Sequence, residues 1–261
     1  MKKLLSIFIT LAGLLTPTLF AHADILTGLQ IHYKFDEASS GSCTGTTPDS
    51  SGNGNTGTCN NSPTYVAGKI GPGAISLTPT TSYISTPYNP GGPSNITGCM
   101  WMNPPTPTGF ADPYILSSVN FGLNYLSDTG GDSEIGLDND GGGINSPDGD
   151  IPFNSWTFVC GEIDSSNNAT IYVNGVSVAS GNIGSQTFST DFSVGKPGAN
   201  STSAGSIDDV CIYNRILSSS DVMQLYNSSV GCSAAPPSGF LWQNFLGGVL
   251  NVFKGGVINI Y

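Results

Sequence analysis

Side chains able to do chemistry are sparse in this 261-residue chain: two histidines, His22 and His32, and three glutamates, Glu37, Glu134 and Glu162. A Ser-His-Asp or Cys-His relay would have to use His32, because His22 sits in an N-terminal segment that reads as removable, and no GxSxG signature supplies a nucleophile. No catalytic residue is assigned on these grounds. Six cysteines, at 43, 59, 99, 160, 211 and 232, are the other reactive groups. In an oxidising compartment they read as disulfides, with fifteen pairings open in principle. Sequence neighbourhood favours one pairing. Cys43 and Cys59 flank a Gly, Asn and Ser-rich loop, Cys211 and Cys232 flank a helix pattern, and Cys99 and Cys160 remain in two strand-like stretches, ITGCMWM and WTFVCGEI. A zinc site is the competing reading. It is disfavoured, since no pair has CxxC spacing and His32 alone would stand with them.

Oxygen donors are more plentiful. DSSGNGN (49–55) carries several on a tight loop, the kind of ligand calcium takes, although Asp, Asn and Gly also form turns for backbone reasons alone. LDNDGGGINSPDGD (137–150) has Asp138 and Asp140 at the first and third places of a calcium loop, but Gly142 and Gly149 at the fifth and twelfth. With no flanking helix pattern, an EF-hand is rejected and only a weak ion site remains open.

The frame for these groups begins after residue 23. Lys2 and Lys3, an apolar run to Phe20 and the Ala21-His22-Ala23 end describe a secretory signal peptide over 1–23, too short and too broken by Gly13 and Pro17 for a membrane anchor. Five basic residues then face eighteen acidic ones, a formal charge of −13. That balance excludes nucleic acid as a partner, because phosphate binding needs clustered Lys and Arg. The reading is of an exported protein, extracellular, at the cell surface or in a periplasm, without a transmembrane span.

Strand signals dominate the rest. Residues 31–35 alternate Ile, Tyr and Phe with His and Lys, which reads as a half-buried strand ended by Asp36-Glu37. Further strands are read at 74–77, 83–85, 96–102, 114–119, 121–126, 156–164 and 188–194. In NNATIYVNGVSVAS the Asn174-Gly175 dipeptide predicts a type I′ turn. A two-residue loop then sets Val173 opposite Val176, Tyr172 opposite Ser177 and Ile171 opposite Val178. One helix is read after 217. Ser218 is its N-cap with Asp221 three residues on, Leu217 and Val222 form a staple, and Asn227 closes it. Beyond it, 228–239 reads as a linker, and GGVLNVF (247–253) recurring as GGVINIY (255–261) gives 240–261 the look of a β-hairpin repeat tail.

GSIDDVCIYNRILSSSDVMQLYN (205–227), with GLQIHYKFDEASSG and DSSGNGNTG near the start, resembles laminin G-like domains of the concanavalin A-like jelly-roll group. The resemblance covers about 24–227 and implies an all-β, antiparallel two-sheet sandwich with one short helix. It also implies a structural calcium ion held by Asp36, Asp49, Asn53 and Asp208. The Cys99–Cys160 pair is similar to the inter-strand bridge of pentraxins. Glu162-Ile163-Asp164 resembles the EID of jelly-roll glucanases, but Ser166 and Asn167 stand where the second glutamate of a retaining pair would follow, which argues against a hydrolase. The function implied is a non-catalytic module for extracellular carbohydrate or a surface polymer, with Phe110 and Tyr125 as sugar-stacking rings. A structural or adhesive display protein is the alternative reading, and a glycoside hydrolase the weaker one.

Overall fold

The structure, a computed structural model, describes residues 24–77, 81–91, 94–106, 114–118, 121–127, 133–139, 142–184, 191–195, 205–233, 251–252 and 258–259. The segment 1–23, most of the linker and tail, and Phe110 lie outside them. In chain order the strands are β1 (Leu29–Tyr33), β2 (Gly41–Ser42), β3 (Thr46–Thr47), β4 (Gly57–Asn60), β5 (Thr64–Ala67), β6 (Gly73–Ser76), β7 (Tyr83–Ser85), β8 (Ile96–Asn103) and β9 (Tyr114–Ser118). There follow β10 (Phe121–Ser127), β11 (Ser133–Asn139), β12 (Gly142–Asn145), β13 (Thr157–Ile163), β14 (Asn168–Val173), β15 (Val176–Asn182), β16 (Ser193–Val194) and β17 (Ser206–Tyr213). The helix α1 (Ser219–Tyr226) and a 3-10 turn at Gly231–Ser233 come next, and two short strands, β18 (Asn251–Val252) and β19 (Ile258–Asn259), pair antiparallel in the tail.

Two antiparallel sheets make the sandwich. One runs β15-β14-β13-β8-β17-β6-β5-β2, with β1 also on β17; the other runs β12-β11-β10-β9-β16-β7-β4-β3. Between them lies the main core, where Ile31, Tyr33, Met100, Met102, Val159 and Ile163 meet Leu116, Phe121, Leu123 and Tyr125. Alternation assigns the faces. On β8 and β13 the residues between those core positions, Cys99, Trp101, Phe158 and Cys160, point to the outer face, yet they too are buried. Helix α1 covers them, its Val222 and Leu225 joining Leu217, just ahead of the cap, in a second apolar layer. Trp101, Phe158 and Tyr226 pack there as a ring cluster with centroids 5.4 to 6.0 Å apart. Strands covered on both faces lose the hydrophobic-in, polar-out pattern, so β8 and β13 read as nearly continuous apolar runs.

The helix starts as its sequence dictates. Ser218 accepts the Asp221 amide at 3.1 Å, Asp221 Oδ2 accepts the Ser218 amide at 3.2 Å, and Asn227 is the C-cap. The hairpin also forms around Asn174 and Gly175, both at positive φ (49° and 82°) as a type I′ turn requires. Its register departs from the expectation one step further out. Val173 faces Val176 and Tyr172 faces Ser177, but a bulge then sets Ile171 opposite Ala179 instead of Val178. β15 is an edge strand, and a bulge there twists the edge away from further pairing.

Two expectations fail on burial. His32 is fully buried where a half-buried strand would expose it, because β1 carries a cover on its outer face as well. Tyr125 cannot stack on a sugar: it is 1% exposed. Phe121, Leu123 and Tyr125 occupy alternate positions of β10, and that phase turns all three toward the opposite sheet.

Candidate functional site

The register of the nine-stranded sheet brings four chain segments to one end. Ile96 pairs with Ile163, Thr97 with Tyr213, and Tyr213 with Leu29. The start of β8, the ends of β13 and β17 and the start of β1 are therefore neighbours. The loop leading from β7 to β8 closes over them. Together they form an open cleft of about 500 Å³ lined by Gln30, Tyr88, Asn89, Asn95, Ser165 and Asn214, with Pro90 and Ser94 at its side.

Internal bonds hold this cleft in shape and leave other groups exposed. Asn95 Oδ1 accepts the Ser165 amide at 2.8 Å, and Asn89 Oδ1 accepts the Gly91 amide at 2.9 Å. Ser94 Oγ donates to the Gly91 carbonyl at 2.8 Å, and the Asn214 amide donates to Gly28 at 2.9 Å. The Tyr88 ring stacks on Phe192, centroids 6.2 Å apart and planes at 16°, and burial raises its phenol above the ordinary pKa. Among the described residues the Asn95 amide nitrogen, the Asn214 side chain and the Tyr88 hydroxyl have no protein partner. No lining residue carries a charge. A cleft of amides and hydroxyls beside one aromatic ring can hydrogen-bond and stack on a neutral polyhydroxyl ligand, and it has nothing with which to hold a phosphate or a cation.

The four residues expected to hold calcium divide into two pairs. Asp49 and Asn53 lie along the free edge of β1: Asp49 Oδ1 accepts the amides of His32 (3.0 Å) and Ser51 (2.9 Å), and its Oδ2 accepts the Asn55 amide (2.9 Å). Asn53 Nδ2 donates to the Leu29 carbonyl at 2.7 Å. Such contacts pin a turn. Asp36 and Asp208 instead reach the loop between β5 and β6, where Asp36 Oδ1 accepts the Gly73 amide (3.1 Å) and Asp208 Oδ2 accepts the amides of Lys69 (2.7 Å) and Ile70 (2.8 Å). The other oxygen of Asp208 is buried with no partner among the described residues, and burial pushes that carboxyl up to about 7. An orphaned buried carboxylate oxygen fits a cation; the saturated oxygens of Asp49 do not.

Two further carboxylates, Glu162 and Asp164, are taken up by internal bonds. Glu162 lies in the layer under α1, where its Oε1 accepts the Tyr172 hydroxyl at 3.0 Å, and burial pushes its carboxyl up to about 7. Asp164 caps its own turn, accepting the amides of Ser166 and Asn168, and the bonds from Asn168 lower its pKa. The structure bonds Cys43 to Cys59, Cys99 to Cys160 and Cys211 to Cys232, which places the chain in an oxidising, non-cytoplasmic compartment. Among the described residues no helix is long and apolar enough to cross a membrane.

The reading of residue types alone did not find the cleft, because its lining comes from five separate stretches. The only local signal was the turn-rich TPYNPGGPSN run before β8.

Comparison with known proteins agrees with the architecture. The chain is similar to the binding domain of Paraclostridial Mosquitocidal Protein 1, at 17% identity and a TM-score of 0.62 over 78% of this chain and 52% of that one. It is likewise similar to the botulinum neurotoxin serotype D binding domain (16%, 0.59, 77% and 52%). The chain thus spans about half the length of these toxin domains. Domain 4 of AbnA, a GH43 extracellular arabinanase from Geobacillus stearothermophilus, solved with arabinotriose, is matched at 22% identity and a TM-score of 0.56 over 75% of this chain and 96% of that domain. No curated protein matches. A Laminin G family model described as the concanavalin A-like lectin/glucanases superfamily matches residues 78–223, more than half of the sequence, and the chain belongs to that family.

Proposed function

We propose that this protein is a secreted, non-catalytic carbohydrate-binding module whose ligand is a neutral saccharide seated in the cleft of Tyr88, Asn95 and Asn214. The observation that carries the reading is the cleft's chemistry: in a chain of net charge −11 its lining is wholly uncharged, made of amides, hydroxyls, one aromatic ring and Pro90. The arabinotriose-bound domain of the same fold makes pentose oligosaccharides the first ligands to try. A shallow open site of this kind gives dissociation constants in the micromolar to millimolar range, about 4 to 8 kcal/mol. Calorimetric titration with arabino-oligosaccharides, after a glycan array, measures it directly. Asn214→Ala should weaken binding by about tenfold, the worth of one or two hydrogen bonds, and Tyr125→Leu should leave it unchanged. Equal affinity in Asn214→Ala and wild type would remove the cleft. If the array retains nothing while deletion of 240–261 releases the protein from cells, the display reading replaces this one.

Calcium enters as a proposal for Asp36 and Asp208 alone. A bound ion stabilises the native state by mass action. Adding calcium to chelator-treated protein should raise Tm; Asp208→Ala should abolish the rise and Asn53→Ala should keep it. A melting curve indifferent to calcium would leave both carboxylates as loop anchors.

A further inference from the structure

The cleft uses none of the chain's buried nucleophiles, and four of these meet elsewhere. His32, Asp209, Cys211 and Cys232 are all buried, and each offers a ligand atom such that the four atoms lie within 4.8 Å of one another. Three segments deliver them. His32 and Cys211 are direct partners across β1 and β17. The bulge in β17 inserts Asp209 at a positive φ of 51°, which turns its carboxylate onto the same outer face. Cys232 arrives on the 3-10 turn, itself tied down by Ser228 Oγ and Ser233 Oγ to the carbonyls of Gly231 and Val230, both at 2.8 Å. His32 Nε2 lies 2.6 Å from Asp209 Oδ1, and Cys232 Sγ lies 3.9 Å from Asp209 Oδ2.

We propose that these four side chains, with both cysteines as thiolates, form a binding site for one divalent cation of the zinc class, and that the Cys211–Cys232 disulfide is the oxidised, metal-free form of the same site. Two thiolates, an imidazole and a carboxylate are each ordinary zinc ligands, and four of them complete a tetrahedral shell. Calcium and magnesium are excluded by the same set, since they take oxygen donors in larger number. His32 Nδ1 is buried without a partner among the described residues, so Asp209 is the imidazole's one hydrogen-bond partner there. The absence of CxxC spacing counts against a local zinc knuckle, but it says nothing against ligands gathered from strands far apart in sequence.

The two states differ by a balanced reaction. Binding the cation releases one proton from each thiol; forming the bridge instead passes two electrons and two protons from the same thiols to a disulfide oxidant, which leaves as two thiols. Because both sulfurs are buried, 1% and 0% exposed, neither a small thiol nor an oxidant reaches them in the folded chain. The choice is therefore made while the chain folds, according to whether the cation or the oxidant meets the thiols first.

Cobalt(II) is the probe, since in a tetrahedral thiolate site it gives intense charge-transfer and d–d absorption. The full chain, reduced and unfolded, is refolded under argon with cobalt(II), beside a sample oxidised in air. The reduced sample should bind one cobalt per chain with both bands; the oxidised sample should bind none. Cys211→Ser should weaken cobalt binding by about a hundredfold, and Asp209→Asn by about tenfold. Replacing Cys43 and Cys59 by serine should not change it. The proposal is overturned if the reduced chain regains its strand circular dichroism without the bands, if the bands survive Cys211→Ser, or if cobalt does not let the reduced chain fold.

Discussion

Replacing Cys99 and Cys160 together by alanine should lower the unfolding free energy by about 4 kcal/mol, the largest loss among the three bridges. The two cysteines face each other directly across β8 and β13, with Cα atoms 4.1 Å apart and a sequence separation of 61. Closing a loop of that length removes about 4 kcal/mol of unfolded-state entropy, against about 3 kcal/mol for the 16-residue separation of Cys43 and Cys59. Both sulfurs also fill space under the Trp101 and Phe158 rings, so alanine leaves a void as well. Urea unfolding of the two double variants under non-reducing conditions measures the difference. A smaller loss at 99 and 160 than at 43 and 59 would reject the ranking.

The second large effect belongs to Glu162. Its carboxyl is 5% exposed and its pKa stands at about 7 against an ordinary 4.5, chiefly because burial disfavours the charged form and despite the bond from Tyr172. An unfolded chain therefore gives up this proton first as the pH rises. The group's contribution is whole below pH 4.5, falls between 4.5 and 7 and stays low above, a change of about 3 kcal/mol at 1.36 kcal/mol per pKa unit. Gln cannot ionise, keeps an acceptor for the Tyr172 hydroxyl, and should be more stable than wild type above pH 7 by up to that amount while matching it at acid pH. Asp208 shifts the same way and is common to both proteins, so the difference between them isolates Glu162. Parallel stability curves from pH 4 to 8 would show that Glu162 does not set this dependence.

What could be read from sequence was what is decided locally. Asn174-Gly175 fixes a turn through two residues, and Ser218 with Asp221 fixes a helix start through four, so both were visible without the rest of the chain. The outward bulge at Ile171 and Tyr172 was not, because nothing in the hairpin's own alternation requires it. Tyr125 shares its phase on β10 with Phe121 and Leu123, and the strand pattern alone does not say which of the two faces is covered. The alternation around His32 does not show its burial, because the outer cover on β1 is a tertiary fact, carried by Cys232 some 200 residues away. The cleft and the division of the calcium candidates were illegible for the same reason. Each depends on which strand ends become neighbours, and only the register decides that.

The pairing of β1 with β17 also governs how the molecule comes to be. Residues 177 apart in sequence touch at His32 and Asp209, and β6 and β1 dock end to end along the same side of β17. Contacts of such separation raise contact order, and chains built this way fold in milliseconds to seconds, slowly for their size. A polypeptide halted before Ser206 could still close the hairpin at 174 and 175, but the middle of its larger sheet would be an open seam with β1, β6 and β8 all lacking their common neighbour. Completion of the larger sheet therefore waits on β17, and a growing chain keeps that seam open until the stretch from Ser206 to Tyr213 is available.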